Sequence, residues 1–241
     1  MRRSLRRDEI ERIRRRHHGY RLLLLTVTLV LLLQPLARHW PQLNPLGAIA
    51  LALVTLLFIS RYSLLRVRMG MFIGLGIAGI AGQVLFLLMG IAMPSALMLH
   101  LAVVDLLIWS LFLGAVILRL TRALMREPYV TLAVVMGAAA GYLLIGYAGA
   151  FLLHTLLLLQ PGDFAIAQLS PGINPSLEPL QSFPAMVTAS LGALTTTGGA
   201  IGKPGAVLPA SATLAITILG QLYVAVLIAL ILGRFHRRSG V

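Results

Sequence analysis

From residue 129 to residue 159 the chain runs without an Asp, Glu, Lys or Arg. A helix of that length exceeds the roughly 20 residues needed to cross about 30 Å of hydrocarbon. Comparable apolar runs recur along the sequence, and a soluble core of this size has no use for them. With 59% of residues hydrophobic and 11% charged, the composition agrees. The expectation is an all-α integral membrane protein.

Six spanning helices are expected, at about 21–38, 45–60, 69–92, 96–120, 129–159 and 207–233. Trp40 and Tyr62 bracket the second, where interfacial aromatics belong. Pro35 marks the exit of the first helix, Pro94 a tight turn between the third and fourth, and Pro128 the start of the fifth. An arginine-rich head before the run Leu22 to Leu33 resembles the start of a signal peptide. The run ends in Gln34-Pro35-Leu36, without a small-residue cleavage site, so it is read as a retained helix.

The basic residues test this count, because Arg and Lys in short loops accumulate on the cytoplasmic side. Nine arginines precede the first helix, up to Arg21; Arg61, Arg66 and Arg68 form one loop, and Arg119, Arg122 and Arg126 another. Arg234, Arg237 and Arg238 lie in the tail. Of the 20 cationic residues, only Arg38 and Lys203 then fall on the other side. Both termini are expected in the cytoplasm, with the chain in the cell (inner) membrane. Residues 1–20 would be a cytoplasmic basic arm, 21–126 a four-helix membrane domain, 127–235 a second membrane unit and 236–241 a cytoplasmic tail. With seven residues after Arg234, no internal ligand-binding domain is expected there.

The formal charge of +13 follows from this topology. It is spread over every cytoplasmic loop and not gathered into a nucleic-acid recognition module, so no nucleic-acid partner is expected. The expected partners are membrane lipids, with the head RRSLRRDEIERIRRR lying on anionic headgroups as a short helix. The absence of cysteine excludes disulfides and thiolate metal sites.

Polar groups inside the hydrocarbon need a reason. Asp105 is the only acid in any span; His100 precedes it by a turn and a half, and His154 lies late in the fifth helix. Asp105 is read first as paired across helices, with His100, Trp109 or Thr55, and second as part of an ion or proton relay. The fourth helix carries no ladder of arginines at every third position, which argues against a voltage sensor. GMFIGLGIAGIAG (70–82) and GAAAGYLLIGYAG (137–149) place small residues at helical spacing, for close helix packing. Neither follows a strand, so neither is a phosphate-binding loop.

Residues 160–206 differ in kind. Pro161-Gly162-Asp163 and the turn-rich SPGINPSLEPLQSFP lead into AMVTASLGALTT, apolar but too short to cross, then TTTGGAIGKPG, then a full helix. That order describes a re-entrant element: a pore helix of about 12 residues with its carboxyl end inward, and a glycine-rich loop lining a pore or cavity.

Here the residues resemble a known family. ILGQLYVAVLIALILGRF (218–235) is similar to the inner helix of prokaryotic six-helix members of the tetrameric, voltage-gated-like potassium-channel superfamily, where GQLYLAVLIARLVG is a frequent wording. Counting back from Gly220 without gaps sets the family's TTVGYGDITP on Thr195 to Pro204, with the threonine pair and the proline in register. The resemblance covers about the last 120 residues, including the Pro161-Gly162-Asp163-Phe164 turn. It implies a homotetramer with a re-entrant pore helix and filter loop between the fifth and sixth helices. Thr195, Thr196, Thr197, Gly198, Gly199 and Ala200 would line the ion pathway. Carbonyls of Thr196 to Gly199 and the Thr196 hydroxyl would replace the hydration shell of a permeant potassium or sodium ion, with no other cofactor. Ile201 and Lys203 would stand at the outer mouth, and Gly220 would be the inner-helix hinge or a site of close packing.

Three departures bear on selectivity. The filter tyrosine is Gly199 and the second filter glycine is Ala200, which costs on the order of 1 kcal/mol if φ must be positive there. The usual acidic residue is Ile201, and two positions on stands Lys203, the only lysine in the chain. Potassium selectivity therefore does not carry over. The expectation is a tetrameric cation channel with an atypical filter. A nonconducting, structural or regulatory relative is the alternative, and a transporter using Asp105 ranks third. No HExxH motif, Ser–His–acid grouping or internal repeat points to an enzyme or a repeat-built transporter.

Overall fold

The computed structural model describes residues 7–37, 39–62, 69–89, 95–127, 131–165, 179–198 and 201–239. Among them the regular structure is helical: α1 Arg7–Leu32, α2 Gln34–Ala37, α3 Leu43–Tyr62, α4 Met69–Met89, α5 Ser95–Arg126, α6 Leu132–Leu159, α7 Pro179–Leu194 and α8 Val207–Ser239, with a 3-10 turn at Pro161–Asp163. No strand occurs among the described residues, only an isolated antiparallel bridge between Phe164 and Gly202.

Among the described residues, three helical segments are long and apolar enough to cross a membrane: Leu99–Arg126, Leu132–Leu159 and Val207–Ala229. Shorter apolar stretches lie at His17–Leu32, Leu43–Leu57, Gly70–Leu85 and Ser182–Leu194. The expected boundaries shift in three places. The basic head and the first apolar run form one helix from Arg7, not a separate helix before the span. Both halves are rich in good helix formers, and the single Gly19 costs only about 1 kcal/mol. The basic stretch 119–126, expected as a loop, is the end of α5, since no Gly or Pro interrupts it after Gly114. The short helix before the glycine-rich loop begins at Pro179 and passes through Pro184, which the sequence pattern assigns to the turn-rich lead. Proline suits a first helical position, and Pro179 holds it. Pro35 lies at the second position of α2, just past the end of α1. Arg38, Pro94 and Pro128 lie outside the described residues, as do residues 1–6 of the head.

The centre of the fold is α6, which packs against α1, α5, α7 and α8. Its glycines admit neighbours closely: Gly137 faces Tyr20 and Leu124, Gly141 faces Tyr223, Gly146 faces Leu191, and Gly149 faces Ser190 and Ile216. A second row on α4 meets α5 running the other way, Gly76 on Phe112, Gly79 on Trp109 and Gly82 on Asp105. Both glycine-rich stretches thus serve packing. Aromatic rings join the two regions: Phe72 lies 5.1 Å from Phe112, Trp109 stacks on Phe151 at 5.4 Å, and Phe151 lies 4.8 Å from Phe183 of α7. Such ring pairs add about 0.5–1.5 kcal/mol each beyond the area they bury.

Candidate functional site

The element expected to carry function is α7 with the residues after it. Its buried side chains include Phe183, Ala185, Met186, Val187, Ala189, Ala193 and Leu194, so the helix is enclosed although it is short. Three polar contacts set its course along α6. His154 Nε2 and Ser182 Oγ lie 2.9 Å apart, Ser190 Oγ donates to Gly146 O at 2.6 Å, and Tyr142 OH donates to Leu194 O at 3.0 Å. As α7 advances from 182 to 194, its α6 partners fall from 154 to 142. The two helices are antiparallel, and α7 descends by about 18 Å at 1.5 Å per residue.

The chain then returns to the end of α6 that it left. Ala165 N donates to Ile201 O at 2.9 Å, Lys203 N donates to Asp163 O at 2.8 Å, and Gly202 bridges to Phe164. Ala206 N donates to Lys203 O at 3.0 Å, with Pro204 and Gly205 (φ 85°) between them. That is the pattern of a type II turn, which requires positive φ at its third residue. The segment is thus pinned beside the 3-10 turn before α8 begins.

At the foot of α7 the backbone turns sharply. Thr197 N donates to Gly192 O at 3.0 Å and Thr196 N to Ala193 O at 3.2 Å, the paired bonds of a Schellman motif. The left-handed position, most often glycine, is held by Thr196 at φ 58°. A β-branched residue there is strained, at about 1–2 kcal/mol. Gly198 comes two residues later with φ 119°. Thr195 to Gly198 are all exposed on the chain.

The carbonyls at the end of α7, normally orphaned, are all engaged. Leu191 O accepts from Thr195 N and from Thr195 Oγ1 at 2.8 Å, and Gly192 O from Thr197 N. Ala193 O accepts from Thr196 N and from Thr217 Oγ1 at 2.9 Å, and Leu194 O from Tyr142 OH. Thr196 Oγ1 donates to Thr195 O at 2.6 Å, and the Thr195 and Thr197 hydroxyls lie 2.9 Å apart. The last carbonyls of α7 are therefore satisfied within one chain. Thr195 O takes one donor among the described residues and keeps its second lone pair.

The other expected site residues of this segment and of α8 differ in burial. Ile201, expected at an outer mouth, is buried at 1% exposure. Its apolar side chain anchors the returning segment against the core, where the usual acid would be costly. Lys203 is exposed. Gly220, expected as a hinge or a packing site, lies against Leu194, and a Cβ there would come 3.3 Å from Leu194 O. Its helix runs unbroken from Val207 to Ser239, and the contact it makes here is close packing on Leu194. Gly199 and Ala200 lie outside the described residues.

Asp105 is buried, and its partner is none of the three expected. Gln83 Nε2 donates to Asp105 Oδ2 at 2.6 Å. Thr55 Oγ1 instead donates to Ala52 O, and His100 is exposed. Asp105 Oδ1, wedged over Gly82, and Trp109 Nε1, over Gly79, have no hydrogen-bond partner among the described residues. Nor do any three His, Cys, Asp or Glu side chains among them gather as metal ligands. The residues missed by sequence reasoning are Tyr142, Ser182, Gln83, Ser190 and Thr217. Their signal was available: each is a polar side chain within an apolar helix, and such groups seek partners as charges do.

The chain matches no protein-family model, no curated protein and no solved structure.

Proposed function

We propose that the chain is a subunit of a homotetrameric membrane protein of the potassium-channel type, with α7 and the loop after it as its pore element. One observation carries this reading: Thr195 to Gly198 present polar, non-helical backbone on the chain's surface, at the foot of a helix enclosed by α6 and α8. At membrane depth such backbone is tolerated only under protein or beside water. Further copies around this element would supply both. The similarity of 218–235 to a channel inner helix, and the register of the threonines with it, support four copies.

In this reading α1, α3, α4, α5, α6 and α8 are the six crossings, and α7 is re-entrant. The basic residues hold both termini in the cytoplasm of a cell membrane, with the N-terminal arm on anionic headgroups. The permeant ion is a monovalent cation, potassium or sodium, met by the oxygens of Thr195 to Gly198 and by Gly199 and Ala200. No catalytic group is assigned, and Asp105 serves the α4–α5 contact.

A second reading, an assembled but nonconducting relative, is favoured by the burial of Ile201 and the complete capping of α7. Two measurements separate the possibilities. Mass measurement of the protein in lipid nanodiscs is expected to give four chains; a monomer would undo the pore reading. Planar-bilayer recordings with sodium and potassium gradients are expected to give unitary currents from the unmodified chain. Silence, with current appearing in Gly199→Tyr combined with Ala200→Gly, would select the nonconducting reading. Ile201 is left unchanged in that variant, because an acid there would enter the core.

A further inference from the structure

The turn at Thr196 is gripped from two sides. From α6, Tyr142 OH bonds Leu194 O, and Gly146 receives Leu191 and Leu194. From α8, Thr217 reaches Ala193 O, while Gly220, one turn on, lets the helix approach the Leu194 backbone. The two grips differ in kind. Among the described residues Tyr142 OH has the single acceptor Leu194 O, whereas Thr217 Oγ1 lies 2.9 Å from Ala193 O and 3.0 Å from Thr213 O of its own helix. A hydroxyl has one proton, so it serves one of these acceptors at a time.

We propose that Thr217 is a positioning residue for the 195–198 loop, dividing its hydroxyl proton between Ala193 O and Thr213 O and thereby coupling α8 to the strained turn at Thr196. Ala193 O is also the acceptor for Thr196 N, the amide of the left-handed residue. When the Thr217 proton points to α7, α8 and the turn are tied together. When it points to Thr213 O, the bond is internal to α8, and the turn is held by its own amides and Tyr142. Both states are neutral and close in distance, so a small rotation of α8 is enough to favour either. The consequence for ion passage rests on the pore reading; the coupling itself does not.

The test is hydrogen exchange at the Thr196 and Thr197 amides, in the intact protein in lipid nanodiscs. Thr217→Val keeps the shape and removes the hydroxyl, and exchange of both amides is expected to rise about fivefold, as for one lost hydrogen bond. Thr217→Ser restores the donor and is expected to exchange as the unmodified chain does. Adding Tyr142→Phe to Thr217→Val is expected to bring about a further fivefold. Amides of α6 between 145 and 153 are expected to be unchanged throughout, as a check that the fold holds. Unchanged exchange in Thr217→Val, an equal rise in Thr217→Ser, or a rise spread along α6 would each overturn the proposal. Exchange is read without ions, so silent bilayers would sink the pore reading and leave this result standing.

Discussion

The α4–α5 seam and the seam of α6 with α7 and α8 use the same device and end differently. Each lays a row of glycines under bulky neighbours. On α6 the visitors include hydroxyls that find main-chain acceptors at once: Ser190 bonds Gly146 O, and Tyr223 OH bonds Ala138 O at 3.0 Å. On α4 the visitors are Phe112, Trp109 and Asp105, and two of their polar atoms, Trp109 Nε1 and Asp105 Oδ1, are left without partners among the described residues. The first seam fixes register by direction, the second chiefly by shape. Directional bonds fix the register of α7 along α6, and with it the place of the 195–198 loop.

The largest effect is expected from filling the directional seam. A Cβ at Gly149 would collide with Ser190 Oγ and come 2.8 Å from Ile216 Cδ1, so Gly149→Ala pushes on α7 and α8 together. Overpacking at about 1–3 kcal/mol plus a weakened Ser190 bond predicts about 3 kcal/mol of destabilisation. Thermal unfolding in detergent, followed by tryptophan fluorescence, measures it. A change below about 1 kcal/mol would show that this seam yields as readily as one held by shape.

Next comes the polar pair of the other seam. Gln83→Leu removes the Gln83 donor and leaves both carboxyl oxygens of Asp105 buried without a partner among the described residues, a cost of about 2 kcal/mol. Asp105→Leu in the same chain removes the stranded group and is expected to recover at least half of that loss, since an apolar pair in place of a buried polar one is often neutral. The same unfolding assay decides. No recovery in the double variant would mean that Asp105 does more than join α4 to α5.

The fold was legible from the sequence as far as apolar length and glycine spacing carry. The ranges of α3, α4 and α6 lie close to those expected, and the two glycine stretches pack helices as their spacing implied. Pairing was not legible. Asp105 had three plausible partners by position along the chain, and the actual one, Gln83, is a neutral side chain 22 residues away on another helix. The burial of Ile201 was not legible either, because register with a family motif fixes position along the chain, not the side on which a residue is buried. Pro184 reads as a boundary because proline usually is one; in α7 the burial of its neighbours on both sides outweighs the lost bond.

A smaller effect, of opposite sign, tests whether glycine spacing alone is informative. Gly74 lies on α4 outside the Gly76, Gly79 and Gly82 row, and a Cβ there meets nothing within 4 Å. Gly74→Ala is expected to stabilise by up to about 1 kcal/mol through helix propensity. A loss in the same unfolding assay would place Gly74 in a contact that a single chain does not make, and would point to a second copy on that face.

The smallest expected change bears most on the proposed pore reading. Thr196→Gly places at the left-handed position the residue that adopts it freely, and trades the relief of strain against glycine's greater loss of entropy on folding. The net gain is about 0.5 kcal/mol, visible as a small rise in the unfolding temperature. It also removes the hydroxyl that donates to Thr195 O and frees one lone pair of that carbonyl. If stability rises and unitary currents fall or lose their uniform amplitude, the strain at Thr196 is part of how the loop holds its oxygens. If stability rises and currents are untouched, the threonine serves as a helix cap, and in the proposed pore reading the ion contacts lie further along the loop.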